Sequence, residues 1–303
     1  DDSSCAANNT SHTDLSRHGQ SITWKRGEQI GTGSFGKVFK GLNEATGELF
    51  AVKQIKLTGG SKEETLALES EIRVMKDLHH RHIVRYCGMN RGSRHLYIFL
   101  EYITGGSIAS MLQQFGVFAE NLVRRLIHQI LLGVRYLHDK GIIHRDIKGG
   151  NVLVTEQGIA KLADFGCSKQ LHRAQTQTFD DDLDMLQGSI PWMAPEVIKQ
   201  TKHGCSADVW SIGATMIEMC TARYPWPPFS NKMAAMYHVA VATEPPAFPE
   251  HISSSAREFL SRCLIIAPEK RLRTSELLQH CFVRGAAEEL RATSGQGPGG
   301  LGV

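Results

Sequence analysis

From Trp24 to Tyr102 the apolar residues come mostly in short runs separated by turn residues. Beyond Gly105-Gly106 they recur at helical spacing. The first pattern predicts strands and the second helices. Val38-Phe39-Lys40, the turn Asn43–Gly47 and Leu49–Ile55 read as a hairpin. Ile83–Tyr86 and Leu96–Tyr102 read as a second strand pair around Asn90-Arg91-Gly92-Ser93. Between the two pairs, Lys62–Leu78 holds good helix formers and neither Gly nor Pro, which predicts a helix. The glycine pair marks a lobe boundary. Past it, helices are predicted over Ser107–Phe115, Ala119–Lys140, Ala207–Thr221, Lys232–Ala242, Ser254–Cys263 and Thr274–Val283. Short strands are expected at Ile142–Ile143, Val152–Val154 and Ala160–Leu162. Residues 1–23 lack hydrophobic periodicity and the tail from Ala292 is low-complexity, so both are expected to be disordered. The expected domain is 24–283, divided into lobes 24–104 and 105–283, with a helix end and tail over 284–303.

Composition narrows the classes. The chain of 303 residues is 41% hydrophobic and 21% charged, as expected of a globular protein. Its net charge of +3 is too weak to argue for nucleic acid or an anionic membrane. The most apolar stretch, Leu126–Leu137, is interrupted by His128, Gln129 and Arg135, well short of the roughly 18 residues of a membrane span. The polar, acidic start has no signal-peptide character. Seven cysteines, scattered and never in a Cys-x-x-Cys pair, suggest reduced thiols in the cytoplasm or nucleus.

The chemistry concentrates between Ile142 and Ala194. Asp146, Asn151 and Asp164, with Lys148 between the first two, present two carboxylates, an amide and an ammonium from turns among short strands. Such a set can hold a divalent metal and aim a hydroxyl, which is what phosphoryl transfer requires. Upstream, Ile30-Gly31-Thr32-Gly33-Ser34-Phe35-Gly36-Lys37-Val38 places glycines where backbone amides can approach phosphate. A dinucleotide fold would continue from these glycines into a helix, whereas here they lead into a hairpin. Lys53 lies in the second strand of that hairpin, where a solvent-facing lysine is the plain alternative. Glu71 shares the stripe of Leu68, Met75 and Leu78, so an inward carboxylate there needs a partner, and Lys53 is the candidate. His79, His80 and His82 lack a further ligand cluster and are read as structural, not metal-binding.

As a set, GTGSFGKV, the AVK strand, the Glu71 helix, HRDIKGGN, DFG and APE resemble the protein kinase signature over Trp24 to about Val283. WKRGEQIG, LEYITGGSI and GSIPWMAPEVI are similar to mitogen-activated protein kinase kinase kinases, of the MEKK-like and NPK-like branch. The resemblance implies an α+β bilobal fold, with an antiparallel sheet and one helix before a mainly helical lobe. It implies ATP and Mg²⁺ as cofactors and a protein substrate, a MAP kinase kinase, with no nucleic acid and no membrane insertion. It implies that Asp146 orients the substrate hydroxyl and takes its proton, and that Lys148 steadies the phosphoryl. Asn151 and Asp164 would be the Mg²⁺ ligands, and Lys53, set by Glu71, would meet the α- and β-phosphates. Val38, Ala51 and Leu153 would enclose adenine, Leu100 would back that pocket, and the backbones of Glu101 and Ile103 would bond the adenine edge. Glu196 would pair with Arg271, and Asp208 would brace the catalytic loop. Cys281, where relatives usually have proline, departs from the pattern. The alternatives are a PAK-like kinase one tier higher and a pseudokinase scaffold.

Gly166–Ala194 is long and polar, and in this family such a segment is usually ordered by phosphorylation. Thr176, Thr178 and Ser189 are the candidate hydroxyls, with Arg145 as the phosphate's partner. Asp180–Asp184 reads as a solvated acidic run that could partly mimic a phosphate. Cys167 reads as inert packing.

Overall fold

The structure, a computed structural model, describes residues 22–33, 36–57, 72, 75–164, 169–170, 189–201 and 204–285. The chain divides into two compact units. Of the described residues, the first holds those up to His79 together with Val84–Tyr102; the second holds His80–Ile83 and those from Ile103.

The first unit is an antiparallel sheet of five strands: β1 (Trp24–Gly33), β2 (Gly36–Asn43), β3 (Leu49–Lys56), β4 (Tyr86–Arg91) and β5 (His95–Glu101), ordered β1-β2-β3-β5-β4. The β2–β3 turn is closed by Asn43, whose carboxamide oxygen accepts the amides of Ala45 and Thr46. Phe39, Phe50, Val52 and Phe99 form a buried cluster on one face, with Trp24 and Tyr97 packed against it. The Phe50 and Phe99 rings lie 4.9 Å apart, and Trp24 meets Phe99 edge-on.

The fourth strand begins later than the apolar pattern suggests. Tyr86–Arg91 is the segment that pairs with β5, while Ile83 forms a parallel bridge to Leu162 in the second unit. A buried apolar run looks the same whether it pairs in a sheet or fills a core.

The second unit is mainly helical. It comprises α1 (Ile108–Phe115), α2 (Glu120–Asp139), α3 (Pro195–Ile198), α4 (Ser206–Thr221), α5 (Lys232–Val241), α6 (Ser254–Cys263) and α7 (Thr274–Leu277). Short strands β6 (Ile142–Ile143), β7 (Val152–Val154), β8 (Ala160–Leu162) and β9 (Lys169–Gln170) pair as β6 with β9 and β7 with β8. Ser107, Asn231 and Ser253 cap α1, α5 and α6 by accepting an amide of the first turn. Gly116, at φ 75°, ends α1 in a conformation that favours glycine. The helix expected over Thr274–Val283 is broken: after Leu277 the chain turns through Leu278–His280 before helix resumes at Cys281.

Helix α2 buries Val123, Ile127, Ile130, Leu131, Val134 and Leu137 along one stripe. Helix α4 is buried on every side from Ala207 to Cys220, so its polar residues must be satisfied internally. Ser211 donates to the carbonyls of Ala207 and Trp192, and Thr215 to that of Ser211. Among the described residues, no helix is long and apolar enough to cross a membrane.

Candidate active site

The residues singled out by sequence fall in both units.

In the second unit the loop between β6 and β7 is fixed from beneath by Asp208, near the start of α4. Its side chain is fully buried. Oδ2 accepts the amide of His144 at 2.9 Å, and Oδ1 accepts that of Arg145 at 2.8 Å. These bonds hold Arg145 at φ 70°, a region that a non-glycine residue rarely occupies. His138 adds its Nε2 to Asp208 Oδ2 at 2.8 Å. Burial works to lower the His138 pKa, but the hydrogen bond and charge of Asp208, aided by Cys205, raise it to about 9. The same partnership holds Asp208 below the usual carboxylate range despite its burial.

His144 is fully buried and bridges two strands of the site. Its Nδ1 accepts the amide of Asp146, and its Nε2 therefore donates to the carbonyl of Ala163 at 3.1 Å. Ala163 in turn donates its amide to the carbonyl of Asn151 at 2.9 Å. Two links thus tie the Asp146 loop to the residue immediately before Asp164, which stands at φ 59°. From α2, Gln129 accepts the amide of Ala160 and donates to the carbonyl of Gly158, fixing the turn that leads into β8.

Within this frame Asp146, Lys148 and Asn151 come together. Asn151 donates from Nδ2 to the carbonyl of Asp146 at 2.8 Å and to its Oδ2 at 2.7 Å. That orients the amide, so its Oδ1 is the end turned from Asp146. Lys148 Nζ reaches Asp146 Oδ2 at 3.0 Å and the hydroxyl oxygen of Ser189 on its other side. Asp146 Oδ1 is buried and has no hydrogen-bond partner among the described residues. A buried carboxylate oxygen left in that state is costly unless something arriving later satisfies it. Oxygen donors from Asp146, Asn151 and Asp164, without thiol or imidazole, suit a hard cation such as Mg²⁺. Ser189 is buried, so its modification would require this arrangement to open. Thr176 and Thr178, like Cys167 and the acidic run, lie outside the described residues. Leu153 sits in β7, half-buried, bridged to Ser107, and Ile103 is half-buried at the start of the unit.

In the first unit, Ile30, Gly31, Thr32 and Gly33 end β1, and Gly36 and Val38 begin β2; Ser34 and Phe35 between them are outside the described residues. Gly36 is pressed against β3: a Cβ there would stand 2.0 Å from the carbonyl oxygen of Gln54. Lys53 pairs across the sheet with Val38 and Ile98 and is only 7% exposed, so it is not a solvent-facing lysine. Glu71, its expected partner, lies outside the described residues. Ala51 and Leu100 are directly opposite each other across β3 and β5. Glu101 donates its amide to the carbonyl of Arg85 at 2.9 Å.

Of the histidines read as structural, His80 and His82 make internal contacts, and His79 is exposed. His82 Nδ1 meets the carbonyl of Ala160, and the His80 ring stacks on Tyr136 at 4.7 Å. One other group with metal-ligand chemistry occurs among the described residues: Glu258, His280 and Cys281, whose ligand atoms lie within 4.8 Å of one another. His280 Nδ1 there accepts the amide of Phe282, which opposes metal coordination through that ring.

The chain belongs to the protein kinase domain family, whose model matches residues 24–283. It is 48% identical over 274 residues to mitogen-activated protein kinase kinase kinase 2 of Arabidopsis thaliana, covering 88% of this chain and 42% of that protein. It is 46% identical over 278 residues to the kinase kinase kinase ANP1 of the same plant, covering 90% of this chain and 41% of that protein. Mitogen-activated protein kinase kinase kinase A of Dictyostelium discoideum is 43% identical over 282 residues, 91% of this chain and 29% of that protein. The chain therefore spans less than half the length of these relatives.

Sequence reasoning missed His144, Gln129, Trp192 and Glu218 as members of the site's framework. Glu218 did carry a signal: it is the lone acid in the apolar run Ile212–Cys220, where an unpartnered carboxylate would be costly.

Proposed function

We propose that this chain is the catalytic domain of a serine/threonine protein kinase. It transfers the γ-phosphoryl of Mg·ATP to a hydroxyl on a downstream kinase of a MAP kinase cascade. The observation that carries the reading is Asp146. Its Oδ2 is held by Lys148 and Asn151 while its Oδ1 is buried without a partner among the described residues, which suits it to receive a substrate hydroxyl.

Bound Mg·ATP supplies the transferable phosphoryl and the metal's charge. Asn151 and Asp164 would hold the metal, and Lys53, oriented by Glu71, the α- and β-phosphates. Residues Ile30–Gly36 would cover the phosphates through backbone amides. Val38, Ala51, Leu153 and Leu100 would offer adenine an apolar enclosure, with the backbones of Glu101 and Ile103 at its edge. Asp146 positions the hydroxyl and accepts its proton, and Lys148, already bridging Asp146 and Ser189, places a positive charge beside the transfer. The proposed domain is 24–283, with lobes 24–104 and 105–283. A phosphate on Thr176, Thr178 or Ser189, paired with Arg145, would be the activating switch.

The tier in the cascade rests on the relatives, whose names place them two steps above a MAP kinase. The test is transfer of labelled phosphate from Mg·ATP to catalytically inert MAP kinase kinases, by the wild type and by Asp146→Ala. Incorporation on Ser or Thr with the first and none with the second is expected. Equal, negligible incorporation with both would sink the proposal.

A further inference from the structure

Helix α5 is apolar almost all the way round. Of its residues Lys232–Val241, only the first carries a formal charge at pH 7. A helix of that composition is expected to be enclosed, yet α5 is enclosed on one side only. Ala235 and Val239 are buried, and the helix packs against α3 and the turn Ile190–Trp192. Met233, Tyr237 and Val241, by contrast, are 70%, 71% and 53% exposed. Spaced four apart, they line up as one row along the outer side, about 12 Å long. A scattered exposed apolar residue needs no explanation, but a contiguous row of three large ones marks a contact surface.

The row is firmly mounted. Asn231 caps α5 by accepting the amide of Ala234 at 2.9 Å. His238 sets its ring against Trp226 and Phe229 at 5.1 and 5.0 Å. In the turn that α5 packs on, Trp192 donates its indole Nε1–H to Glu218 Oε2 at 2.8 Å, and the same oxygen accepts the amide of Gly149 at 2.8 Å. A face held in this way loses little freedom when it is covered.

The pattern of the row also selects what covers it. Met233 lies four positions before Tyr237 and Val241 four after, so the row is symmetric about the tyrosine. A second α5 laid antiparallel, on a twofold axis through Tyr237, sets methionine on valine at both ends and tyrosine on tyrosine at the centre. The same arrangement opposes the two helix dipoles. It also carries Lys232, at the start of one helix, towards the second copy's Glu244, three residues past the end of the other. Both residues are exposed, and neither has an ion pair within its own chain among the described residues.

We infer that the exposed side of α5 is a self-association surface, whose partner is a second copy of this chain paired antiparallel through Met233, Tyr237 and Val241. The inference goes beyond the kinase reading and does not depend on it. The row is smaller than the roughly 800 Å² per partner of a tight complex, so the pair forms weakly and exchanges readily.

Sedimentation of the full chain over a range of concentrations tests it. Wild type should pass from monomer to dimer with a Kd on the order of 10 µM. Tyr237→Asp, which sets two charges face to face at the axis, should weaken the pair by about a hundredfold. Its melting temperature should match wild type, because Tyr237 is exposed. Lys232→Glu and Glu244→Lys should each weaken the pair by about threefold to tenfold, since each brings like charges together at both ends. Mixing these two single variants, or joining both changes in one chain, should restore wild-type affinity, as antiparallel pairing demands. A wild type that stays monomeric at about 200 µM, well above that Kd, would overturn the inference. So would a dimer that Tyr237→Asp leaves intact, or charge variants that do not rescue one another. A monomeric wild type whose binding to an inert MAP kinase kinase is lost in Tyr237→Asp would assign the face to the acceptor and overturn it likewise. A chain that self-associates but phosphorylates nothing sinks the kinase reading and leaves this inference standing.

Discussion

Arg271 closes on Glu196 in a fork, Nη1 to Oε1 and Nη2 to Oε2, with both side chains almost wholly buried. The guanidinium also donates to the carbonyls of Ile265, Ile266 and Ser206 and lies 4.9 Å from the Trp210 ring. Every donor is thereby used, as a buried charge requires. Removing one partner strands the other. Glu196→Ala and Arg271→Ala should each lower the unfolding free energy by about 3–5 kcal/mol, read from urea titrations. Arg271→Lys should recover little, since an ammonium cannot form the fork.

Stability should fall as pH rises from 6.5 towards 9. In the folded chain His138 keeps its proton up to a pKa of about 9, against 6.5 for an ordinary imidazole, because Asp208 outweighs burial. Its contribution is therefore complete below 6.5 and is lost as pH climbs through about 9. The size is on the order of a few kcal/mol by linkage. His80, His82 and His128 are shifted the other way, by burial, and act below this window. Urea midpoints measured across the window should decline in wild type and flatten in His138→Gln. A wild-type midpoint that rises instead would contradict the ion pair.

Two glycines should respond oppositely to alanine. At Gly105 a Cβ would stand 2.2 Å from the backbone carbonyl oxygen of Val154, which cannot step aside without moving β7. Gly105→Ala should cost about 1–3 kcal/mol or more. Gly204 has nothing within 4 Å of the same position. Gly204→Ala should be neutral or stabilise by up to about 1 kcal/mol, through the unfolded chain. Denaturant midpoints of the two variants, measured side by side, test the contrast.

Asp146→Asn should separate stability from activity. The change removes a buried charge whose Oδ1 has no partner among the described residues, while Lys148 keeps the Ser189 hydroxyl, so the melting temperature should change little. Phosphoryl transfer should drop by about 10²–10⁴, the range for a lost positioned acid or base. Thermal melts and phosphate incorporation on the same sample read both.

Thiol labelling should follow burial. Cys281 is exposed, whereas Cys220 and Cys263 are buried and their thiols pushed up, that of Cys220 to about 12. Mass mapping after brief alkylation should find Cys281 modified before either of the others. Early labelling of Cys263 would mean that α6 opens readily.

Much of the architecture was legible in periodicity and punctuation. Helices at 108–115, 120–139, 206–221, 232–241 and 254–263 sit within a residue or two of their sequence estimates, since each is bounded by clear stops. The break at Leu278–His280 was not legible, because apolar spacing continues straight through it. Nor was the change of unit at Ile83, whose neighbours are apolar in either setting. In the site, Asp146, Lys148 and Asn151 were recognisable because their types and spacing carry the chemistry. Glu196 with Arg271, and Asp208 with its loop, were expected from resemblance and are paired in the structure. The framework of His144, Gln129 and Trp192 was invisible, as a backbone-bonding side chain leaves no pattern in sequence.

Asp208 and Glu218 stand ten positions apart on the same enclosed rod, about 15 Å at helical rise. Whatever spacing the transfer machinery has is therefore measured from inside the molecule and not from its loops. Inserting a single residue between them would swing one anchor by about 100° relative to the other.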